Sequence, residues 1–150
     1  MQNIIEYVED DSGNVLTYHR HPNGGGLLGR RATADPSSFI GSGTYVEAGA
    51  RVGSGCRIGA GSWIQRNARI GDHVIIGDAV YVGDGTVIGD GARIGSHSRI
   101  GARAQVSAGA RLHPDSNVPE DAVIAPASTI RRRAEAPVQP RPAQSRLNAA

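Results

Sequence analysis

Residues 70–94 read IGDHVIIGDAVYVGDGTVIGDGARI, and a branched aliphatic residue recurs in this stretch at every sixth position. The series continues in both directions without a break, from Ile40 to Ile130, for sixteen consecutive members. A residue no larger than valine stands four places after each one, as Ser62 does after Ile58. A period of six fits neither an α-helix nor the alternation of one strand, and it indicates short units stacked into coils.

Each unit of six residues, here called a hexad, combines a strand with a turn. The small residue and the next aliphatic are two positions apart, so on a strand both point inward. The residue between them, such as Trp63, then points outward. Three places after the aliphatic stands Gly, Asn, Asp or His in twelve of the first fifteen hexads. These types tolerate positive φ, so each hexad is predicted to end in a sharp corner.

Two of the hexads, Ile-Gly-Asp-His-Val-Ile at 70–75 and Val-Gly-Asp-Gly-Thr-Val at 82–87, resemble the hexapeptide repeat of bacterial acyltransferases. The resemblance implies an all-β fold, a single-stranded left-handed parallel β-helix in which three hexads form one triangular coil. Sixteen hexads then give about five coils. Gamma-class carbonic anhydrases and non-catalytic scaffolds share this fold, so the fold does not decide the activity.

The hexad pattern and the composition on either side of it divide the chain. Residues 4–8 and 14–18 are apolar runs on either side of an acidic turn, which predicts a β-hairpin. The predicted segments are a hairpin cap at 1–22, a loop at 23–36, the hexapeptide-repeat β-helix at 37–134 and a disordered, basic, Pro-containing tail at 135–150.

The charge distribution favours a solvated tail over a nucleic-acid site. All sixteen basic residues are arginine, and residues 131–150 carry five of them against Glu135 alone. Three consecutive arginines at 131–133 on a loose end are commonly just solvated, so we expect no nucleic-acid partner.

The pattern of apolar residues and the single cysteine argue against a membrane protein and against a disulfide-stabilised one. No apolar run approaches a membrane span and no signal-peptide pattern opens the sequence, so a cytoplasmic protein without membrane contact is expected. Cys56, the only cysteine, occupies an inward position and is predicted to be a buried thiol.

Eighteen-residue spacing sorts the outward residues into columns, one on each face. Tyr45, Trp63 and Tyr81 share a column with Arg99 on the first face. Exposed aromatic side chains in a row indicate an interface or a ligand platform, unless the chain's own ends cover them. Family members usually trimerise side by side, so the resemblance implies a homotrimer with this column at its interface.

One corner gathers the candidate catalytic residues. His97 lies at the corner leading into the aromatic face, Asp115 follows eighteen residues later, and His113 and Arg99 flank them. A histidine beside a carboxylate is the arrangement of a general base. In the acyltransferases a histidine near a subunit boundary deprotonates the acceptor, and the coenzyme A thioester lies in the groove between neighbours. On that basis Arg99 is the candidate cofactor contact.

Two functional hypotheses stay open at this point. The repeat resemblance favours acyl transfer, acetyl transfer above all, from a coenzyme A thioester to a small hydroxyl or amine, with coenzyme A as co-substrate and no tightly bound cofactor. The unbroken coil and the aromatic column favour a non-catalytic scaffold or assembly protein. A carbonic-anhydrase-like metalloprotein is a remote alternative, because the close histidine pair of that family is absent and no metal ligand set is expected. The acceptor substrate cannot be read from the sequence.

Overall fold

The computed structural model describes residues 5–9, 11–126 and 129–130, and every regular element among them is a β-strand. Two longer strands, β1 (Ile5–Glu9) and β2 (Val15–Arg20), precede a coil built of strands of two residues each. The tail predicted at 135–150 and the three arginines at 131–133 lie outside the described residues.

The coil has three flat faces, each formed by strands that pair in parallel. The faces are named A, B and C in the order in which the chain visits them. Face A holds β3 (Leu27–Leu28), β6 (Tyr45–Val46), β9 (Trp63–Ile64), β12 (Tyr81–Val82), β15 (Arg99–Ile100) and β18 (Asn117–Val118). Face B holds β4 (Thr33–Ala34), β7 (Arg51–Val52), β10 (Arg69–Ile70), β13 (Val87–Ile88), β16 (Gln105–Val106) and β19 (Val123–Ile124). Face C holds β5 (Phe39–Ile40), β8 (Arg57–Ile58), β11 (Ile75–Ile76), β14 (Arg93–Ile94), β17 (Arg111–Leu112) and β20 (Thr129–Ile130).

The register between coils is eighteen residues throughout, so equal positions of successive coils lie side by side. Trp63 pairs with Tyr45 on one side and with Tyr81 on the other. The aliphatic column is buried along the axis, with Ile40, Ile58 and Ile64 at 0% exposure. Because the residue before each aliphatic points outward, the predicted assignment of side chains to three faces is confirmed.

The coil begins earlier than the hexad series indicates. Leu28 and Ala34 continue the aliphatic column at the same six-residue spacing, and their strands pair in parallel with β6 and β7. Residues 23–36, expected as a loop, therefore contain two strands of the first coil. Alanine at position 34 interrupts the aliphatic pattern, which is why the sequence alone did not reveal them.

The predicted N-terminal hairpin is present, and it extends face A. β1 and β2 pair antiparallel, and β2 in turn pairs antiparallel with β3 of the first coil. The hairpin thus covers the free backbone edge that β3 would otherwise present to solvent or to another chain.

Buried hydroxyl and thiol groups tie successive coils together. The Oγ of Ser62 donates to the carbonyl of Gly77 at 3.0 Å and accepts from the N–H of Val80 at 3.1 Å. The thiol of Cys56 likewise donates to the carbonyl of Gly71 at 3.0 Å. Burial raises the pKa of this thiol, so Cys56 is a buried structural group, as expected.

Candidate functional site

Every corner from residue 43 to residue 121 turns through a residue with left-handed φ, three places after the buried aliphatic. Glycine or asparagine fills many of these positions, but His97 (φ 66°) and Asp115 (φ 63°) fill two of them. A left-handed φ costs a non-glycine residue conformational energy, which the surrounding coil offsets. The corners therefore hold a side chain pointing into solvent at a backbone position that the coil fixes.

His97 and Asp115 lie on the same corner in successive coils. The main-chain N–H of His97 donates to the carbonyl of Asp78 at 2.9 Å, and that of Asp115 donates to the carbonyl of Ser96 at 2.9 Å. Both side chains are exposed, and no hydrogen bond or ion pair joins them within the described part of the chain. The backbone geometry brings the two residues together, and the role of the pair as a general base stays a prediction.

His113 and Arg99 flank this corner in different ways. His113 is exposed, and its carbonyl oxygen accepts from Ser98 Oγ at 3.2 Å and from Ser116 Oγ at 2.5 Å. The guanidinium of Arg99 lies over the ring of Tyr81, with its carbon 4.3 Å from the ring centroid. Arg99 therefore leans along face A toward the aromatic column.

The aromatic column of face A is partly exposed and partly met by the hairpin. The rings of Trp63 and Tyr81 meet edge to face with centroids 6.2 Å apart, and Trp63 keeps 49% of its surface exposed. Tyr18 of β2 packs edge to face on Tyr45 at 5.2 Å. The chain's own N-terminal hairpin thus contacts one end of the column and leaves Trp63 half-exposed.

Glu47 links the hairpin to the column, a role that sequence reasoning missed. Its two carboxylate oxygens accept from Tyr18 Oη at 2.8 Å and from Trp63 Nε1 at 2.6 Å. Burial, followed by the hydrogen bond to Glu47, raises the pKa of Tyr18 well above its usual value. Beside these residues lies an open groove of about 530 Å³ lined also by Tyr45, Gln65 and Arg66.

A second concavity, called here the arginine cleft, lies on the corner between faces A and B. It measures about 490 Å³ and is lined by Arg30, Arg31, Ala48, Gly49, Arg51, Arg66, Asn67 and Arg69. Arg66 also lines the open groove beside Tyr45 and Trp63, called here the aromatic groove, so the two concavities adjoin. The sequence showed these arginines one by one but gave no sign that they converge.

Two aspartates that stand two places after a buried aliphatic, Asp72 and Asp78, each bond to the preceding coil. Asp72 Oδ1 accepts from the N–H of Ser54 at 2.9 Å, and Asp78 Oδ1 accepts from the N–H of Ala60 at 3.0 Å. His21 is buried, with Nε2 at 2.9 Å from the carbonyl oxygen of Ser38. These groups hold turns and coils in place.

Neither a metal-ligand cluster nor a helix able to span a membrane is present in residues 5–9, 11–126 and 129–130. Within them, no three side chains of His, Cys, Asp or Glu are grouped as ligands of a metal ion. In the same residues no helix has the length and apolar character needed to span a membrane.

The family models that match this chain describe a six-residue repeat. Residues 37–66 match the model described as the hexapeptide repeat of succinyl-transferase, and residues 67–102 match the bacterial transferase hexapeptide (six repeats). A comparison with curated protein sequences finds no match.

Several solved structures have a fold similar to that of this chain. The acetyltransferase domain of PglB from Neisseria gonorrhoeae FA1090 is 26% identical, with a TM-score of 0.67 over 75% of this chain and 55% of that one. The GDP-perosamine N-acetyltransferase of Caulobacter crescentus is 22% identical, with a TM-score of 0.68 over 73% of this chain and 53% of that one. A hexapeptide transferase family protein from Anaplasma phagocytophilum is 18% identical, with a TM-score of 0.53 and coverages of 73% and 75%. The chain spans about half the length of the two acetyltransferase chains.

The hexad series, the three-faced coil and these matches define the class, which is the left-handed parallel β-helix. Within that class, the matched residues 37–102 are similar to the hexapeptide repeats of bacterial transferases. The fold and the family resemblance predicted from the sequence are both confirmed.

Proposed function

We propose that the chain transfers an acyl group from a coenzyme A thioester to a small acceptor bearing an amine or a hydroxyl. The observation that carries the proposal is that the coil fixes His97 and Asp115 on one corner of successive coils. Strands of adjacent coils are about 4.8 Å apart, so a small rotation of either exposed side chain brings imidazole and carboxylate together.

Acyl transfer needs one residue that takes the proton of the acceptor and a second residue that stabilises the positive charge which the first then carries. A ring nitrogen of His97 takes the proton of the acceptor, whose nitrogen or oxygen attacks the thioester carbonyl carbon. The carbon–sulfur bond breaks, and the imidazolium returns the proton to the departing sulfur, so coenzyme A leaves as the thiol. Asp115 stabilises the imidazolium while the proton is held.

The similar structures support this reaction class. The PglB acetyltransferase domain was solved with acetyl coenzyme A, and the perosamine N-acetyltransferase was solved with coenzyme A and GDP-perosamine, including with one histidine replaced. In this chain the donor would lie along face A, where Arg99 offers its guanidinium to an anionic or carbonyl group. A neighbouring subunit of a homotrimer would form the other wall of that groove.

Calorimetric titration with coenzyme A, followed by a thiol-release assay with acetyl coenzyme A and a panel of amines and alcohols, tests the proposal. We expect His97→Ala to lower turnover by roughly 10²–10⁴ while coenzyme A affinity stays nearly unchanged, and Asp115→Asn to cost less. His73→Ala is the matched control, because His73 also has a left-handed φ (58°) but occupies another corner.

Wild-type protein that neither binds coenzyme A nor releases thiol with any acceptor would overturn the proposal. Activity lost in His113→Ala but kept in His97→Ala would move the base to His113 on the same corner. An equal loss of activity in His73→Ala would show that the activity does not depend on the corner that holds His97 and Asp115.

A specific observation favours a second candidate, an assembly scaffold. Trp63 remains half-exposed within an edge-to-face aromatic column on a flat face, which is the composition of a protein interface. If Tyr45, Trp63 and Tyr81 form that interface, Trp63→Arg should convert an oligomer into monomers in sedimentation velocity. Identical sedimentation of wild type and variant as monomers would exclude this interface.

A further inference from the structure

The arginine cleft gathers five guanidinium groups from three successive coils. Arg30 and Arg31 come from the first coil, Arg51 from the second, and Arg66 and Arg69 from the third. Arg51 and Arg69 are direct neighbours in the register of face B. Like charges on adjacent strands repel each other, so this arrangement favours a bound anion that offsets the repulsion.

Carboxylates do not neutralise the cleft. None lines it, and no ion pair involving these five arginines is present in the described ranges 5–9, 11–126 and 129–130. Glu47 lines an adjoining concavity together with Arg30 and Arg66, but its two carboxylate oxygens accept from Tyr18 and Trp63. Asp84 follows Arg66 eighteen residues later and forms no ion pair with it.

The same corner shows the opposite arrangement at its other end. Arg103 occupies the left-handed corner position that Arg31 holds four coils earlier. There Nε of Arg103 lies 2.9 Å from Asp121 Oδ1, and its NH2 group lies 3.4 Å from Glu120 Oε1. The corner therefore can place carboxylates beside an arginine, and at the cleft the sequence places further arginines instead.

We propose that the arginine cleft binds a pair of adjoining phosphoryl groups of a small ligand. Guanidinium groups match phosphate oxygens with two parallel hydrogen bonds, which suits arginine to this task. From the coil of Arg30 to that of Arg66 is two strand spacings, about 10 Å, which exceeds the reach of one phosphate and fits two. The proposal does not depend on acyl transfer, because the cleft is on a different corner from His97.

Several kinds of small ligand carry a diphosphate group, and the surface next to the cleft favours those that also carry a ring. The aromatic groove with Tyr45 and Trp63 shares Arg66 with the cleft, so a ring attached to the diphosphate has an apolar surface next to it. Free diphosphate, a nucleoside diphosphate and the diphosphate of coenzyme A carry the same anionic group, and the experiment must separate them.

The test is calorimetric titration of the full chain at fixed ionic strength with orthophosphate, pyrophosphate, ADP and coenzyme A. We expect one pyrophosphate per chain, bound at least about 10-fold more tightly than orthophosphate. Arg51→Gln and Arg66→Gln should each weaken pyrophosphate about 10-fold or more, whereas Arg103→Gln should leave it unchanged. The five arginines are exposed, so melting curves should show these variants folded.

Among the ligands that bind, tighter ADP than pyrophosphate assigns the site to a nucleotide, tighter coenzyme A than ADP assigns it to that donor, and equal affinities assign it to free diphosphate. Each of these assignments also requires that Arg51→Gln weakens binding of the ligand concerned. Pyrophosphate that does not saturate, or equal weakening in Arg103→Gln, would overturn the proposal. So would a short DNA duplex that binds through the same arginines while pyrophosphate does not, since the cleft would then be a general polyanion surface.

Discussion

The indole N–H of Trp63 donates a 2.6 Å hydrogen bond to Glu47, and the other oxygen of Glu47 accepts from the buried hydroxyl of Tyr18. The carboxylate of Glu47, in the second coil, thus bonds both to Tyr18 of the hairpin and to Trp63 of the third coil. The hairpin is held to the coil by this polar contact as well as by the backbone pairing of β2 with β3.

Removal of Glu47 should loosen the hairpin. Glu47→Ala leaves the Tyr18 hydroxyl buried without its partner, and we expect a loss of about 1–2 kcal/mol in the free energy of unfolding. Trp63 is the only tryptophan, so its emission reports on this site alone and should shift to longer wavelength. Glu120→Ala, which removes an exposed ion pair, serves as control and should cost less than about 0.5 kcal/mol. Equal stability of the two variants would contradict this role of Glu47.

The raised pKa of Tyr18 predicts a loss of stability in alkali. Below the usual tyrosine pKa of about 10, folded and unfolded chains both keep the phenolic proton, and the stabilisation is fully present. Above that pH the unfolded chain releases the proton first, so the free energy of unfolding falls as pH rises. Chemical denaturation of wild type and Tyr18→Phe from about pH 8 to 11 should show a steeper fall for the wild type. Tyr7→Phe, at an exposed tyrosine, should behave as wild type; a matching slope in Tyr18→Phe would refute the assignment.

Two adjacent isoleucines provide a test of the inward and outward columns. Ile76 is 1% exposed on the coil axis, whereas Ile75 is 40% exposed on face C. Ile76→Ala should cost about 2–5 kcal/mol through lost burial and a cavity. Ile75→Ala, the same substitution one residue earlier, should cost well under half of that. Urea unfolding measures both, and similar losses would mean that this strand does not alternate as described.

Glycines at two hexad positions are required for different reasons. A Cβ on Gly41 would lie 2.7 Å from the backbone nitrogen of Ala60 in the next coil, so the space between coils excludes it. A Cβ on Gly61 would meet nothing within 4 Å, and only its φ of 69° disfavours a side chain. Gly61→Ala should therefore cost about 1–2 kcal/mol, and Gly41→Ala more than that. The reverse order of melting temperatures would contradict the close approach of the coils.

The period of the sequence was sufficient for a stacked coil and for corners with left-handed φ, because each follows from where one residue stands within a hexad. The three faces came from the family resemblance, which sets three hexads to a coil. Face and corner positions of Trp63, His97 and Asp115 were predictable for that reason. The aliphatic period alone did not locate the start of the coil, since Ala34 is too small to mark the column. Side-chain convergence was not predictable either. Glu47 contacts Tyr18 only because the hairpin folds back along face A. Arg30 and Arg66 line one cleft only because corners two coils apart face the same concavity.

The corner position also has an evolutionary consequence. At Gly61, Gly91 and Gly109 an added Cβ would touch nothing within 4 Å, and the equivalent positions elsewhere already hold His97 and Asp115. A codon change at any of these corners exposes a new functional group while every buried contact of the coil stays as it was. Descendants of one such chain can therefore gain, lose or relocate a reactive group one corner at a time without passing through an unfolded intermediate sequence.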